Sequence, residues 1–406
     1  MLRSFRVANH RSIRAEQELL LLPAYNKSRP VVPVAALFGA NASGKSNLLD
    51  ALRFMQTAVR TSFAEWEPGA GIPRTPFRLD PAAAVEPSVY AVEVLLDGVR
   101  YSYGFEIDDE RVREEWLHAY PHNRRQVIFE RAGQHIHPGP TAGPARRQVT
   151  LLEELLRPNT LFLTLAARGG LTQVTTVYAW FAERLRIVLA EDRQPDEQEI
   201  ITQLDQDNRD QDSGGSRLTA LARAADVGIQ HIATAASDVP GRRRLVFFHN
   251  SHSAPLELWE ESHGTRVWLS YLTKILHCLD TGGVLVIDEI DLALHPRLTD
   301  QVVFLFRDPA NNPAGAQLIS TTHAASLLGR WLGEDILGRD EVWFVEKDRD
   351  GATSLYALSD FRPRKDENTE RRYLTGSYGA VPALFDLDFS DAVTPRQDGA
   401  GGRVAS

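Results

Sequence analysis

Residues 39–46 read Gly39-Ala-Asn41-Ala-Ser43-Gly44-Lys45-Ser46. The pattern is G-x-x-x-x-G-K-S/T. It follows an apolar run, Val31 to Phe38, and opens a helical stretch, Lys45 to Val59. A strand before and a helix after are the context in which such a glycine loop cradles phosphate. Glycines let the backbone curl so that its N–H groups face an anion, and the helix start adds partial positive charge. Lys45 supplies a point charge for the β- and γ-phosphates of a nucleotide, and Ser46 a hydroxyl for Mg²⁺. Asn41, Ser43 and Asn47 complete the candidate contact set.

Three further segments have matching chemistry. Val284-Leu-Val-Ile-Asp288-Glu289 is a wholly apolar run that ends in two carboxylates. A strand buried on both faces would deliver Asp288 to the Mg²⁺ shell and leave Glu289 to polarise an attacking water. Gln317-Leu-Ile-Ser-Thr-Thr-His323 is a second apolar strand ending in a titratable side chain. Glu261-Ser262-His-Gly264-Thr265 stands before an apolar helix. A Ser and a Gly at a helix start offer a hydroxyl, free N–H groups and a dipole. Taken singly, these are a glycine turn, a strand with an acidic turn, a structural histidine and an ordinary N-cap. Their order along one chain favours a single nucleotide site.

The elements that must position them are spread widely. Lys45 and Asp288 are 243 positions apart, so the two halves of the site must fold back onto one sheet. Residues 1–130 read as an N-terminal lobe with the glycine loop and a β-rich block, in which Asp97-Gly98 marks a hairpin. Residues 131–225 read as a helical and flexible insertion: a loop to 148, helical periodicity at 149–156 and 172–189, and a polar acidic run at 191–216. Residues 226–390 read as the returning lobe with strands and the motifs above, and 391–406 as a disordered tail. The expected fold class is α/β.

Composition bounds the alternatives. The chain has 406 residues with 43% hydrophobic and 24% charged, as in globular proteins. The net charge of −9 does not indicate nucleic-acid binding, although Arg242-Arg-Arg244 is a local candidate for a phosphate backbone. Only five residues are lysine, which makes Lys45 stand out. Cys278 is the single cysteine, so no intrachain disulfide or cysteine-based metal cluster can form. No apolar run is long enough to cross a bilayer and no signal peptide is evident. The expectation is a cytoplasmic protein without a membrane partner.

The whole motif set resembles the heads of SMC, RecF and OLD proteins, beginning with Phe5, Asn9 and Ser12 ahead of the glycine loop. More specifically it resembles the RloA-like AAA/ABC ATPases of bacterial restriction-linked and abortive-infection loci. The matching text includes Pro76-Phe-Arg-Leu-Asp80, Asp97 to Glu106, Glu261 to Thr265, Asp288-Glu-Ile-Asp291 with Leu294-His-Pro296, Val342 to Asp348, and Tyr373 to Gly379. The resemblance implies a P-loop NTPase of ABC/SMC-head type that uses ATP and Mg²⁺ and dimerises head to head. It implies that Gly39 to Ser46 form the Walker A loop, and Asp288 and Glu289 the Walker B pair. It further implies that Ser262, Gly264 and Thr265 form a signature presented to the partner's ATP, with Asp291 in a D-loop and His323 as switch. It also implies a role in anti-phage defence beside a separate nuclease or toxin effector. No glutamine stands out for the coupling loop of such heads; Gln56 sits on the helix after the P-loop. Two other classes compete: a DNA-repair or DNA-end-binding ATPase, and a nucleotide-gated binding module with negligible turnover.

Overall fold

The computed structural model describes residues 1–25, 27, 29–140, 145–209, 216–225, 228–249, 254–292, 294–364 and 367–382. Its centre is a six-stranded sheet ordered Thr353–Ala357, Val342–Lys347, Val34–Phe38, Gln317–Thr322, Val284–Ile287, Leu185–Val188. All neighbours in it are parallel except the first pair. Every residue of Val34–Phe38, Val284–Ile287 and Gln317–Thr322 is buried. Strands covered on both faces explain why these segments are apolar or small rather than alternating; the exception, Gln317, spends its side-chain amide on the Leu2 backbone.

Successive side chains of the sheet point to opposite sides. Ala35, Leu37, Val284 and Val286 enter one core, shared with the helix Lys45–Thr61 and a seven-stranded antiparallel sheet. Val34, Ala36, Phe38, Leu285 and Ile287 enter a second core, shared with the helix His263–Thr281. The antiparallel sheet runs Gln17–Leu20, Leu2–Ala8, Ser88–Leu96, Val99–Ile107, Val112–Tyr120, Gln126–Ala132, His135–Pro138. Its expected hairpin turns at Asp97 (φ 49°) and Gly98 (φ 79°). Both angles are positive, as the tightest hairpin turn requires.

The segment read from sequence as an insertion, 131–225, departs from expectation in three places. The stretch expected as loop to 148 holds the strand His135–Pro138 and the start of the helix Ala145–Glu153. The helix expected over 172–189 stops at Ala179; a π turn, Trp180–Arg184, follows, and then Leu185–Val188 joins the central sheet beside Val284–Ile287. Pairing with a buried strand overrides the local helical periodicity there. The polar run 191–216 contains the helix Glu197–Arg209, whose Ile200, Ile201 and Leu204 are buried in the second core. Residues 210–215 and the tail 391–406 lie outside the described residues.

Candidate functional site

Three parallel strands end on one edge of the sheet, and each delivers one predicted motif there. Phe38 pairs with Thr322, and Ile287 with Ser320. The glycine loop, Asp288-Glu289 and His323 therefore leave the sheet side by side. The carboxyl edge of a parallel sheet is where α/β proteins place their ligands.

The loop can only be built with its glycines. Gly44 has φ 106° and caps the helix Lys45–Thr61. A side chain there would collide with the hydroxyls of Thr353 and Ser12, and one at Gly39 with the Val345 carbonyl and the Ser43 hydroxyl. The underside of the loop is gripped from two distant parts of the chain. Thr353 Oγ1 donates to the Ser43 carbonyl at 2.9 Å and pairs with Ser12 Oγ at 2.7 Å. Asn47 Nδ2 donates to Ser12 Oγ at 2.6 Å, so this predicted contact residue braces the loop from behind. Asn41 is exposed at the crown of the loop, and Ser43 Oγ is buried without a hydrogen-bond partner.

Lys45 is 5% exposed and folds back on its own loop, donating to the carbonyls of Gly39 at 2.8 Å and Ala40 at 3.0 Å. Burial lowers its pKa, while Asp288, Glu289 and Asp291 pull in the opposite direction. An ammonium half-stripped of water and facing three carboxylates is a group that would gain from a bound polyphosphate.

Asp288 meets the glycine loop directly. Ser46 Oγ donates to Asp288 Oδ1 at 3.0 Å, and Thr321 Oγ1 donates to the same oxygen at 2.6 Å. One carboxylate and one hydroxyl fit Mg²⁺, which keeps waters and relies on substrate phosphates for the rest of its shell. Among the described residues no group of three or more His, Cys, Asp or Glu could hold a metal unaided. Glu289 follows with φ 49°, and its amide donates to Thr321 Oγ1 at 2.6 Å. Its side chain meets Arg193, whose Nη2 lies 3.0 Å from Glu289 Oε2 and 2.9 Å from the Asp288 carbonyl. His323 is exposed at the strand end; its amide points at Asp291, which also accepts from Thr322 Oγ1 at 2.7 Å.

Ser262, Gly264 and Thr265 lie elsewhere. Ser262 caps the helix His263–Thr281 by accepting from the Thr265 amide at 3.1 Å, and the two hydroxyls pair at 2.8 Å. They line a cleft of about 440 Å³ with Leu294, His295 and Arg297, and no residue of the glycine loop reaches it. Gln56 spends its amide on the carbonyls of Phe181 and Leu185, holding the P-loop helix to the edge strand. Arg243 and Arg244 are ion-paired with Asp205 and Glu257, which removes most of the free charge from the Arg242–Arg244 candidate. No described helix is long and apolar enough to cross a membrane.

Sequence reasoning missed Arg193, Thr321, Ser12 as a loop brace, and Thr353. Thr321 lies inside the Gln317–His323 segment, but Arg193 and Thr353 carry no pattern of their own.

The fold and the juxtaposed loop, carboxylates and hydroxyls define a P-loop NTPase of mixed α/β type. The sequence matches the family described as “AAA domain, putative AbiEii toxin, Type IV TA system” over residues 34–329, which is 296 of 406 positions, and the chain belongs to that family. No curated protein matches it. Similar solved structures include an Smc head bound to the C-winged helix domain of ScpA (14% identity, 89% of this chain and 99% of that chain, TM-score 0.46). The SMC head domain from Thermotoga maritima is also similar (11%, 88% and 98%, 0.42). So is an Smc head with an extended coiled coil bound to the C-terminal domain of ScpA, from Pyrococcus furiosus (12%, 89% and 97%, 0.44).

Proposed function

We propose that this protein is a Mg²⁺-dependent ATPase, and that ATP drives two copies together head to head. The observation that carries it is the meeting of Ser46 and Asp288 at 3.0 Å across 242 positions of chain, beside a buried Lys45. Lys45 holds the phosphates in place of the Gly39 and Ala40 carbonyls. Ser46 and Asp288 supply the protein oxygens for Mg²⁺, which would neutralise the charge on the β- and γ-phosphates when bound. Glu289 accepts a proton from the attacking water, and His323 senses the γ-phosphate. These residues act by position and charge, as phosphoryl-transfer sites do.

The Ser262 cleft supports the two-copy part. Its hydroxyls and helix start suit a phosphate, yet no residue of the glycine loop lines it. A second copy would bring the two together. In the cell, we infer from the RloA-like motif set a sensor or scaffold in anti-phage defence that regulates a separate nuclease or toxin; the family description, which names a toxin–antitoxin system, fits a defence-linked role. A DNA-end-binding role has less support, because Arg243 and Arg244 are already paired.

Subunit complementation tests this. A Lys45→Ala chain loses its loop and a Gly264→Asp chain its cap, so each alone should be inactive. Mixed, they form one intact site per heterodimer, and ATP turnover should return to a sizeable fraction of wild type. If the mixture stays as inactive as its parts, the shared site is wrong.

A further inference from the structure

The helix Glu197–Arg209 and the edge strand Leu185–Val188 are joined through residues 189–196, and that joint is fastened to the site from three sides. The Asp288 amide donates to the Val188 carbonyl at 2.9 Å. Asp192 forms an ion pair with Arg53 of the P-loop helix. Arg193 reaches over the carboxyl edge and takes both the Asp288 carbonyl and one oxygen of Glu289. Its side chain is 11% exposed, while that of Glu289 is 33% exposed. Its Nε is buried with no hydrogen-bond partner, so its placement is set by the contacts of the guanidinium end. It also lies beside the hydroxyl of Tyr271, a buried residue of the Ser262-capped helix. That helix is tied back to the insertion by Lys274 and Glu199 at 2.9 Å. One side chain thus touches the water-activating carboxylate, the metal-side strand and the helix that carries the cap.

We propose that Arg193 is the positioning residue that couples the helical insertion to Glu289. It fixes one carboxylate oxygen, Oε2, and leaves the other to take a proton from water. Any shift of residues 189–209 relative to the sheet is then transmitted to Glu289, and so to turnover. This role rests on the ATPase function proposed above, but the physical link between Arg193 and Glu289 exists without nucleotide.

The test uses the full chain and two readouts. In steady-state ATP turnover, Arg193→Gln should lower kcat by about tenfold or more, the scale of a misplaced general base. KM should stay within about threefold, since no phosphate contact is lost. Arg193→Lys should recover part of kcat. A loss confined to KM, or equal losses for Gln and Lys, would overturn the positioning role. The second readout is amide hydrogen exchange without nucleotide. Glu289→Gln weakens the ion pair from the other side, so it should speed exchange across 189–209 as Arg193→Gln does, with melting temperatures near wild type. If wild type itself shows no turnover, the ATPase function fails, and the exchange comparison alone decides Arg193. Unchanged exchange in the Glu289→Gln chain contradicts the coupling.

Discussion

The Thr321 hydroxyl donates to Asp288 Oδ1 at 2.6 Å while accepting the Glu289 amide at 2.6 Å. One buried threonine therefore fixes the carboxylate that faces Ser46 and the backbone that carries the proposed base. Asp288 reaches the sheet edge because its strand is buried; Thr321 sets its rotamer there.

Thr321→Val keeps the volume and removes both bonds. The Glu289 amide and the Asp288 carboxylate each lose a partner, which costs about 1–3 kcal/mol for a buried group left unsatisfied. The fold should survive, with kcat lowered by about tenfold and ATP affinity changed far less. Calorimetric ATP binding beside steady-state rates checks this; a loss of affinity equal to the loss of rate would show that Thr321 holds the loop rather than the carboxylates.

Gly44→Ala should abolish nucleotide binding. The new methyl meets Thr353 and Ser12, and the residue must still hold φ 106°. The second cost, about 1–2 kcal/mol for an L-residue forced to such an angle, is not relieved by trimming the neighbour. Gly44→Ala combined with Thr353→Ala should therefore still bind ATP about five- to thirtyfold more weakly than wild type. Recovery of wild-type binding in the double variant would place the whole cost in the collision.

Cys278 gives a pH prediction. Burial pushes its thiol from 9.0 up to about 12, with Arg186 opposing weakly. The folded pKa is the higher one, so the contribution to stability is fully present below pH 9.0 and is lost as pH rises toward 12. Urea midpoints should fall between pH 8 and pH 10.5 in wild type and fall less in Cys278→Ala. At pH 8 the native thiol should resist a disulfide reagent and react upon unfolding. Rapid labelling of the native protein would mean that the helix His263–Thr281 opens readily.

Much of the site was legible in the sequence because its parts are local. A glycine loop, a run of four apolar residues before two carboxylates, and a strand ending in histidine each announce themselves within ten residues. The antiparallel sheet was legible in part through its Asp97-Gly98 turn. What escaped was set by distant contacts. Leu185–Val188 continues a helical periodicity, and only its pairing with Val284–Ile287 makes it a strand. Once it is a strand, Arg193 is thrown onto Glu289, and nothing in the polar run around it says so. Ser12 and Thr353 meet beneath the loop across 341 positions, a relationship that no local pattern encodes. The proline-rich stretch before the second strand pair is ordered by Asn9, whose amide donates to the carbonyls of Ala83 and Glu86 at 2.8 Å.

The most direct test of the central claim is ATP turnover and solution mass for wild type and Glu289→Gln, each with and without ATP and Mg²⁺. Wild type should hydrolyse ATP and return to its resting mass. Glu289→Gln keeps the shape of the site without the base, so it should bind ATP, lose turnover by about 10²-fold or more, and remain at twice the resting mass. A Glu289→Gln chain that turns ATP over at the wild-type rate, or stays at one mass with ATP bound, contradicts the account.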